Sequence, residues 1–385
     1  MSLAPAGRCR TTPTARWLRP RPEWSTTMRD LDARTVNLRT LPPQFGRRTF
    51  VLNAILVQNN FRHAIKDKGV SYDTMEDRRQ YIHRAFHFLE HNDIKSFKLD
   101  PRSLGDRHVR FLFADMERRA KAGKLGPSAI QKAHSYLRTF AGWIGKPGLV
   151  LPIGDYISDE TLYRRSYVTK HSKAWGDNGM VPEEVIAAVA EFDDRVAVQI
   201  ELMKEFGLRC KEAVMFRPHQ DIVTAAQAGK VTAGAAEYLQ LRRGTKGGRL
   251  RYVPAVTPSQ LAAIEHARRV APGENDSLSD PRYQLARAIR HQRYVMELFG
   301  LTKAMLGVTA HGLRHGYAAE RYEAEAGVAP PVATNERADA AVDRTARRLV
   351  SEALGHSRGQ ITSVYLGQST VMRSRGRKPS DSPAT

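Results

Sequence analysis

The chain has 385 residues, which suffices for about two domains, and its 61 Lys and Arg exceed its 40 Asp and Glu by 21. Such an excess is typical of proteins that bind polyanions, above all nucleic acid. No apolar run approaches the roughly 18 residues of a membrane span, and the N-terminus lacks the apolar core of a signal peptide. The two cysteines, Cys9 and Cys210, have no paired spacing, which argues against a disulfide framework and favours the reducing cytoplasm.

Residues 1–48 are predicted to be a basic, disordered arm, because prolines and arginines recur there without an apolar pattern. Such an arm suits a search along DNA. Two other interpretations stay open: an unstructured leader, or a true start at Met28, in which case residues 1–27 are not translated.

Residues 49–150 have a helical apolar period and are predicted to form a small helical bundle that binds DNA. A capping box is predicted at Thr74 and Asp77. The polar faces of these helices carry Arg78, Arg79, Arg84, Arg107, Arg110, Arg118, Arg119, Lys121, Lys124 and Lys132. His83, His87 and His91 share a helix face at a spacing that suits a metal, but no further ligand cluster lies near them in sequence, so no metal or other cofactor is predicted.

Residues 151–180 are interpreted as a linker, 181–370 as a second domain and 371–385 as a polar tail. A helix is predicted from Pro182, and another after the capping box Thr257-Pro-Ser-Gln260. Alternating residues over 238–254 flank a Gly244-Thr-Lys-Gly-Gly248 turn, which predicts a β-hairpin with Lys246 near its tip. The fold class is therefore mainly α with a small β-hairpin or sheet (α+β).

Three short segments of this second domain carry residues suited to phosphodiester chemistry. They are Gly207-Leu-Arg-Cys-Lys-Glu212, His311-Gly-Leu-Arg-His315 and Leu354-Gly-His-Ser, the last followed by Tyr365 nine positions after His356. Each residue alone is an ordinary feature of a helix or turn. All six candidates in one chain order (Arg209, Lys246, His311, Arg314, His356 and Tyr365) are not explained by coincidence.

Metal-free cleavage of a phosphodiester needs a nucleophile, fixed positive charge and a proton donor. Arg209 and Arg314 suit the second task, because a guanidinium stays charged and binds two phosphate oxygens at once. Tyr365, with a reference pKa of about 10, is the predicted nucleophile, and His311 is its candidate base. His356 is a candidate phosphate donor, and Lys246 is the candidate acid for the leaving 5′ oxygen.

These segments resemble the tyrosine site-specific recombinases, the integrase family of phages and mobile elements, over roughly residues 182–367. The resemblance implies an N-terminal helical core-binding (SAM-like) domain and a catalytic domain that clamp double-stranded DNA between them. Glu212 matches the family's structural acidic partner of the first arginine. The implied reaction passes through a 3′-phosphotyrosyl link and a Holliday junction, in a homo-tetramer on two paired sites, without metal or nucleotide.

The stretch 316–350, between the second and third boxes, is long and is interpreted as an inserted loop, similar to one group of proteobacterial prophage-type integrases. It favours an integrase that inserts or excises a mobile element. The alternatives are a Xer-like resolvase of replicon dimers, a nicking-closing topoisomerase, and a non-catalytic DNA-binding protein on the same scaffold. The integrase interpretation implies the bacterial nucleoid as location, no membrane partner, and accessory proteins that bend DNA or set the direction of the reaction.

Overall fold

The computed structural model describes residues 32–39, 48–63, 68–96, 98–334, 338–356 and 359–368. The chain divides into two compact units, Met1–Arg165 and Ser166–Thr385. The predicted tail and, apart from residues 32–39 and 48, the predicted arm lie outside the described residues. Within those residues, no helix combines the length and the apolar character that crossing a membrane requires.

The first unit is a helical bundle, as its apolar period predicts. Its helices are α1 (Arg48–Asn59), α2 (Tyr72–Asn92), α3 (Asp106–Lys121) and α4 (Pro127–Trp143). The repeating apolar positions of α2, α3 and α4 face one core, in which the rings of Phe86 and Phe140 meet edge to face at 5.4 Å.

Helix α2 begins three residues earlier than its predicted capping box. Ser71 is the N-cap, and its hydroxyl accepts the backbone N–H of Thr74 at 3.3 Å. Thr74 therefore lies inside the first turn, and the box predicted at Thr74 and Asp77 is wrong. A serine three positions upstream offers the same acceptor, and the extended backbone of Ser71 places it correctly.

Most of the basic residues predicted on the polar helix faces of the first unit are buried or form ion pairs within the protein, rather than pointing unpaired into solvent as their sequence positions indicate. Arg78 is buried rather than solvated, with its guanidinium 5.2 Å from the ring of Trp143. Most of the others pair with carboxylates on the surface. The paired residues are Arg79, Arg107, Arg110, Arg118, Arg119, Lys121 and Lys132.

The second unit is also mostly helical and carries the sheet. Its first helices are α5 (Pro182–Phe192), α6 (Asp194–Phe206), α7 (Cys210–Met215), α8 (Pro218–Asp221) and α9 (Ala225–Ala228), with strand β1 (Ile222–Thr224) between the last two. Strands β2 (Glu237–Leu241) and β3 (Arg251–Ala255) follow. The remaining helices are α10 (Pro258–Val270), α11 (Leu285–Leu298), α12 (Ala310–Ala326), α13 (Pro331–Thr334), α14 (Ala340–Ala353) and α15 (Ser363–Leu366).

The predicted hairpin is confirmed, since β2 and β3 pair antiparallel with Leu239 opposite Val253 and Leu241 opposite Arg251. The sheet has the order β1-β2-β3. Its short first strand was not predicted, because three residues give no alternating pattern. The buried face of β3 carries Arg251, Val253 and Ala255, so one charged side chain points with the apolar ones towards the core.

Helix α6 forms the centre of the second core, with both its flanks buried, and α5, α10 and α12 pack around it. Helices α12 and α14 lie side by side. The stretch predicted as an inserted loop is therefore mostly helix: α12 runs on to Ala326, and α14 begins at Ala340. The loop interpretation is wrong for most of residues 316–350. Residues 335–337 of this predicted loop lie outside the described residues.

A histidine bridge between α6 and α10 generates a pH-dependent contribution to stability. His266 contacts Glu201 at 2.7 Å through Nδ1 and Asp194 at 2.8 Å through Nε2. The hydrogen bond with Glu201 is the main cause that raises the pKa of His266 in the folded chain. Its stabilisation is thus fully present below the unfolded pKa of about 6.5 and is lost as pH rises through the raised folded value.

We predict that His266→Gln lowers the melting temperature by roughly 2–4 °C at pH 6 and by less at pH 9, at low ionic strength. Thermal unfolding followed by circular dichroism at both pH values measures the difference. An equal loss at the two pH values would remove the charge on His266 as the cause.

Candidate active site

The first box forms an elbow between α6 and α7. Gly207 ends α6 with φ of 61°, in the left-handed region, and a Cβ there would lie 2.5 Å from the ring of Tyr317. Both facts require glycine. The elbow turns Arg209 into the N-cap position of α7 and leaves the Gly207 carbonyl free to accept a hydrogen bond from Arg314.

Glu212 is the anionic centre of the site, and its side chain is fully buried. Its carboxylate accepts the backbone N–H of Arg209 at 2.8 Å and the Arg209 guanidinium at 2.6 Å. It also accepts two bonds from Arg251, at 3.0 and 2.8 Å. Burial alone would raise the pKa of Glu212, but the bonds and charge of Arg251 with the charge of Arg209 outweigh it and lower the pKa to about 2. Glu212 is therefore ionised at neutral pH.

Arg251 was missed by sequence reasoning, although β3 carried a signal. It shares the parity of Val253 and Ala255, so it lies on the buried face of an alternating strand. A charge on such a face requires a buried counter-charge, and Glu212 supplies it. Arg251 thus connects the hairpin to the first box and is part of the site's scaffold.

Arg314 lies at the centre of the site and is completely buried. Its Nη1 donates to the Gly207 carbonyl, its Nη2 donates to the Leu354 carbonyl at 2.5 Å, and its Nε donates to the Tyr365 hydroxyl at 3.3 Å. Burial, together with the charges of Arg209 and Arg251, lowers the pKa of Arg314 to about 10. The guanidinium stays protonated at neutral pH and binds the predicted nucleophile directly.

Three histidine rings surround the ring of Tyr365, at centroid distances of 5.8 Å for His311, 4.7 Å for His315 and 5.8 Å for His356. Loss of hydration is the main cause that lowers the pKa of the buried His315 to about 3 and that of the half-buried His356 to about 4. It also lowers the pKa of His311 to about 4, although part of this side chain is exposed to solvent. Positive charge from Arg314 adds to the effect in each case. All three imidazoles are therefore neutral at pH 7.

His315, the last residue of the second box, is a member of the cluster for which the sequence predicts no role. It lies four residues after His311 on α12, which places both rings on one helix face, 5.2 Å apart. Two buried imidazole nitrogens at this site, His315 Nδ1 and His356 Nε2, have no hydrogen-bond partner among the described residues. Unpaired buried nitrogens of this kind are costly unless a ligand meets them.

Of the six predicted residues, five are brought into one cluster. Arg314, His311, His356 and Tyr365 are in direct or ring contact, and Arg209 joins them through Glu212. Lys246 lies in the exposed turn between β2 and β3, and within the described chain it has no hydrogen bond or ion pair. In the part of the chain that the structure describes, no group of three or more His, Cys, Asp or Glu side chains is suited to holding a metal.

The cluster has an excess of fixed positive charge. Arg209, Arg251 and Arg314 face one carboxylate, Glu212, and the histidines are neutral. A buried hydroxyl beside uncompensated guanidinium groups and unpaired imidazole nitrogens suits an anionic group with several acceptor oxygens. A phosphodiester has this chemistry, and the hydroxyl of Tyr365 is the available nucleophile.

Part of the second unit matches a known protein family. Residues 168–320 match a family model described as Integrase, and this range contains Arg209, Lys246 and Arg314. No curated protein sequence matches the chain.

Several solved structures are similar in fold. A lambda integrase dimer bound to a COC′ core site is 15% identical over 88% of this chain and 83% of that chain, with a TM-score of 0.47. A XerH site-specific recombinase bound to difH is 14% identical over 84% and 81%, with a TM-score of 0.47. A Tn1549 transposon integrase is 15% identical over 83% and 96%, with a TM-score of 0.37. At such values the likeness assigns no role to any residue of this chain.

The match to this family model marks the chain as an enzyme that breaks and rejoins DNA strands. Within the unit Ser166–Thr385, residues 168–320 therefore form a domain of the integrase type.

The buried carboxylate gives a prediction for stability. Glu212→Gln keeps the shape but leaves Arg209 and Arg251 without a counter-charge, so the free energy of unfolding at pH 7 should fall by about 3–5 kcal/mol. Because the folded pKa lies below the unfolded one, the carboxylate stabilises above the ordinary pKa of 4.5 and loses this effect as pH falls towards about 2. The difference in the free energy of unfolding between wild type and Glu212→Gln should therefore become smaller as the pH is lowered.

Urea unfolding at pH 7 and pH 4 measures this difference. Glu352→Gln is the matched control, because Glu352 pairs with Arg348 on the exposed surface of α14, with 60% of its side chain accessible. The control should change stability by less than about 1 kcal/mol. Equal losses in both variants would contradict a special role for Glu212.

Proposed function

We propose that this site-specific recombinase cleaves and rejoins double-stranded DNA through a 3′-phosphotyrosyl intermediate formed by Tyr365. The observation that carries the proposal is the bond from Arg314 Nε to the Tyr365 hydroxyl at 3.3 Å, made by a guanidinium with no solvent exposure. A nucleophile and a fixed positive charge are thereby held together where the attacked phosphate would lie.

In the proposed reaction, the Tyr365 oxygen attacks phosphorus and its proton passes to His311. The bond from phosphorus to the 5′ oxygen breaks, and Lys246 gives that oxygen a proton. The products are a 3′-phosphotyrosine and a free 5′-hydroxyl. Attack by the 5′-hydroxyl of a partner strand reverses these transfers and rejoins the DNA, so no external energy source is needed.

Arg209 and Arg314 are proposed to bind the nonbridging oxygens, where negative charge develops. The unpaired His356 Nε2 supports a role as a further donor to the same oxygens. The lowered pKa of His311 leaves its imidazole neutral with a free lone pair, and a bound phosphate would raise that pKa by adding opposite charge. Substrate binding would thus strengthen the base that the reaction uses.

Lys246 is proposed as the acid although the protein leaves it exposed. A lysine that meets the leaving oxygen of a substrate needs no partner in the protein, and an exposed hairpin turn lets it reach a bound strand. Its place in the turn after β2 is fixed by the sheet register.

The partner is proposed to be double-stranded DNA at a recombination or attachment site, bound by a homo-tetramer on paired sites. A lambda integrase of similar fold forms a tetramer on a Holliday junction. The helical unit Met1–Arg165 is proposed as the core-binding domain. Its surface ion pairs are individually weak, so phosphates can replace the carboxylates. Integration or excision of a mobile element is the proposed role, with accessory proteins and a place at the bacterial nucleoid.

Tyr365→Phe tests the nucleophile. We expect the wild-type protein, purified from cells under denaturing conditions, to keep covalently bound DNA, because phosphotyrosine survives denaturants. Sequencing of this DNA should give reads concentrated at one sequence. The variant should retain no DNA under denaturing conditions and should bind duplex DNA with wild-type affinity in a native assay. If neither protein retained DNA while both bound it, the chain would be a non-catalytic binding protein.

Lys246→Ala tests the acid. On duplexes of the captured sequence, the variant should cleave slower by about 10²- to 10⁴-fold, as for other lost general acids. Replacing the 5′ bridging oxygen at the scissile position by sulfur should restore most of this rate, because a thiolate leaves without protonation. Arg209→Ala should not be restored in this way. A Lys246→Ala defect that sulfur left unchanged would remove the lysine from proton transfer.

A further inference from the structure

The nucleophile lies on a segment too short to hold itself in place. Helix α15 has four residues, Ser363–Leu366, and an isolated turn of this length is unstable in water. On its N-terminal side, the Ser363 carbonyl accepts the backbone N–H of Thr169 at 3.1 Å. The position of the Tyr365 hydroxyl therefore depends on what holds the chain just after it.

Arg347 of α14 holds that chain. Its Nη1 donates to the Gly367 carbonyl at 3.2 Å, and its Nη2 donates to the Gln368 carbonyl at 3.3 Å. Its Nε donates to Asp343 at 2.8 Å. Only 6% of the Arg347 side chain is exposed, so all three guanidinium nitrogens are engaged in a nearly dry environment.

Asp343 orients this guanidinium. Its side chain is 1% exposed, and it accepts a second bond from the Tyr322 hydroxyl at 2.8 Å. Tyr322 lies on α12, the helix that carries His311 and Arg314. The chain after the nucleophile is thereby tied to the helix that carries the second box.

We propose that Arg347 is a positioning residue for strand transfer, which holds the Gly367–Gln368 backbone so that the Tyr365 hydroxyl stays on Arg314. The inference rests on the proposed function. Arg347 touches no reacting atom, and its charge is neutralised by Asp343, so it acts through the backbone rather than through the field at the phosphate. A shift of about 1 Å in a reacting group costs about 100-fold in rate.

Gly367 gives an independent means of moving the same backbone. Its φ is 79°, and a Cβ at this position would lie 3.1 Å from the backbone nitrogen of Val332 in α13. Side chains other than glycine are strained at this φ, so Gly367→Ala should displace the segment without removing any bond between Arg347 and Asp343.

The competing interpretation is that Arg347 and Asp343 only fasten α14 to α12. Arg347→Lys distinguishes the two interpretations, because a lysine keeps a charge beside Asp343 but cannot donate to both carbonyls as a planar guanidinium does. The matched control is Arg348→Lys. Arg348 is the next residue on α14, is 61% exposed and pairs with Glu352.

The experiment is single-turnover cleavage by the full chain on nicked duplexes of the captured sequence, with oxygen or sulfur as the leaving atom. For Arg347→Lys we expect the rate constant to fall about 100-fold with both atoms, while the amplitude and the affinity for duplex stay near wild type. Gly367→Ala should show the same pattern, and Arg348→Lys should match wild type.

Each outcome bears on the inference. A lower amplitude with an unchanged rate constant would mean a smaller folded fraction and would overturn it in favour of simple fastening. Rescue by sulfur would place the defect at the leaving group and would also overturn it. If Arg347→Lys failed to fold, a wild-type rate constant for Gly367→Ala would overturn the inference, and a reduced one would support it. Absence of cleavage by wild type would instead refute the proposed function.

Discussion

The active site depends on burying one guanidinium. Arg314 bonds the end of α6 through Gly207, the end of α14 through Leu354 and the nucleophile through its hydroxyl. These partners lie 107, 40 and 51 positions away in sequence. A dehydrated cation is costly without all its acceptors, so the site forms only when the three segments have packed together. Catalytic geometry and the folding of the second unit are thus coupled through one side chain.

Charge is divided between residue types that behave differently. Arg314 keeps its proton, because its lowered pKa still lies near 10. The histidines are neutral, because loss of hydration and the nearby positive charge of Arg314 make the imidazolium unfavourable. A single carboxylate, Glu212, prevents the arginines from repelling one another apart and leaves their remaining charge uncompensated. An anionic substrate completes this arrangement, so part of the energy of binding comes from relieving repulsion already present in the folded protein.

The sequence predicted those parts of the structure that depend on neighbours along the chain. The helical period of the first unit, the turn at Gly244 and the cap at Thr257 are local features, and the structure confirms them. The catalytic candidates could be named because substrate chemistry, rather than packing, determines their types. The residues that hold those candidates in position were harder to predict from the sequence. The roles of Arg251 and Arg347 depend on Glu212, Gly367 and Gln368, which only the tertiary structure brings near. The Pro330-Pro331 pair lies between α12 and α14 and interrupts the helical pattern there, which is why the sequence predicts a loop where the structure is mostly helical.

The ion pairs on the surface of the first unit affect the thermodynamics of its proposed DNA contact. A free arginine that meets a phosphate releases the small cations condensed on the DNA, and this release makes affinity depend on salt. An arginine already paired, such as Arg110 with Asp106, must first give up its carboxylate, which then recruits cations from solution. Each replacement of a carboxylate by a phosphate therefore takes up some of the cations that the DNA releases. The dependence of affinity on salt should therefore be shallower than the number of basic residues implies. The unit would also bind non-specific DNA less strongly than its composition suggests.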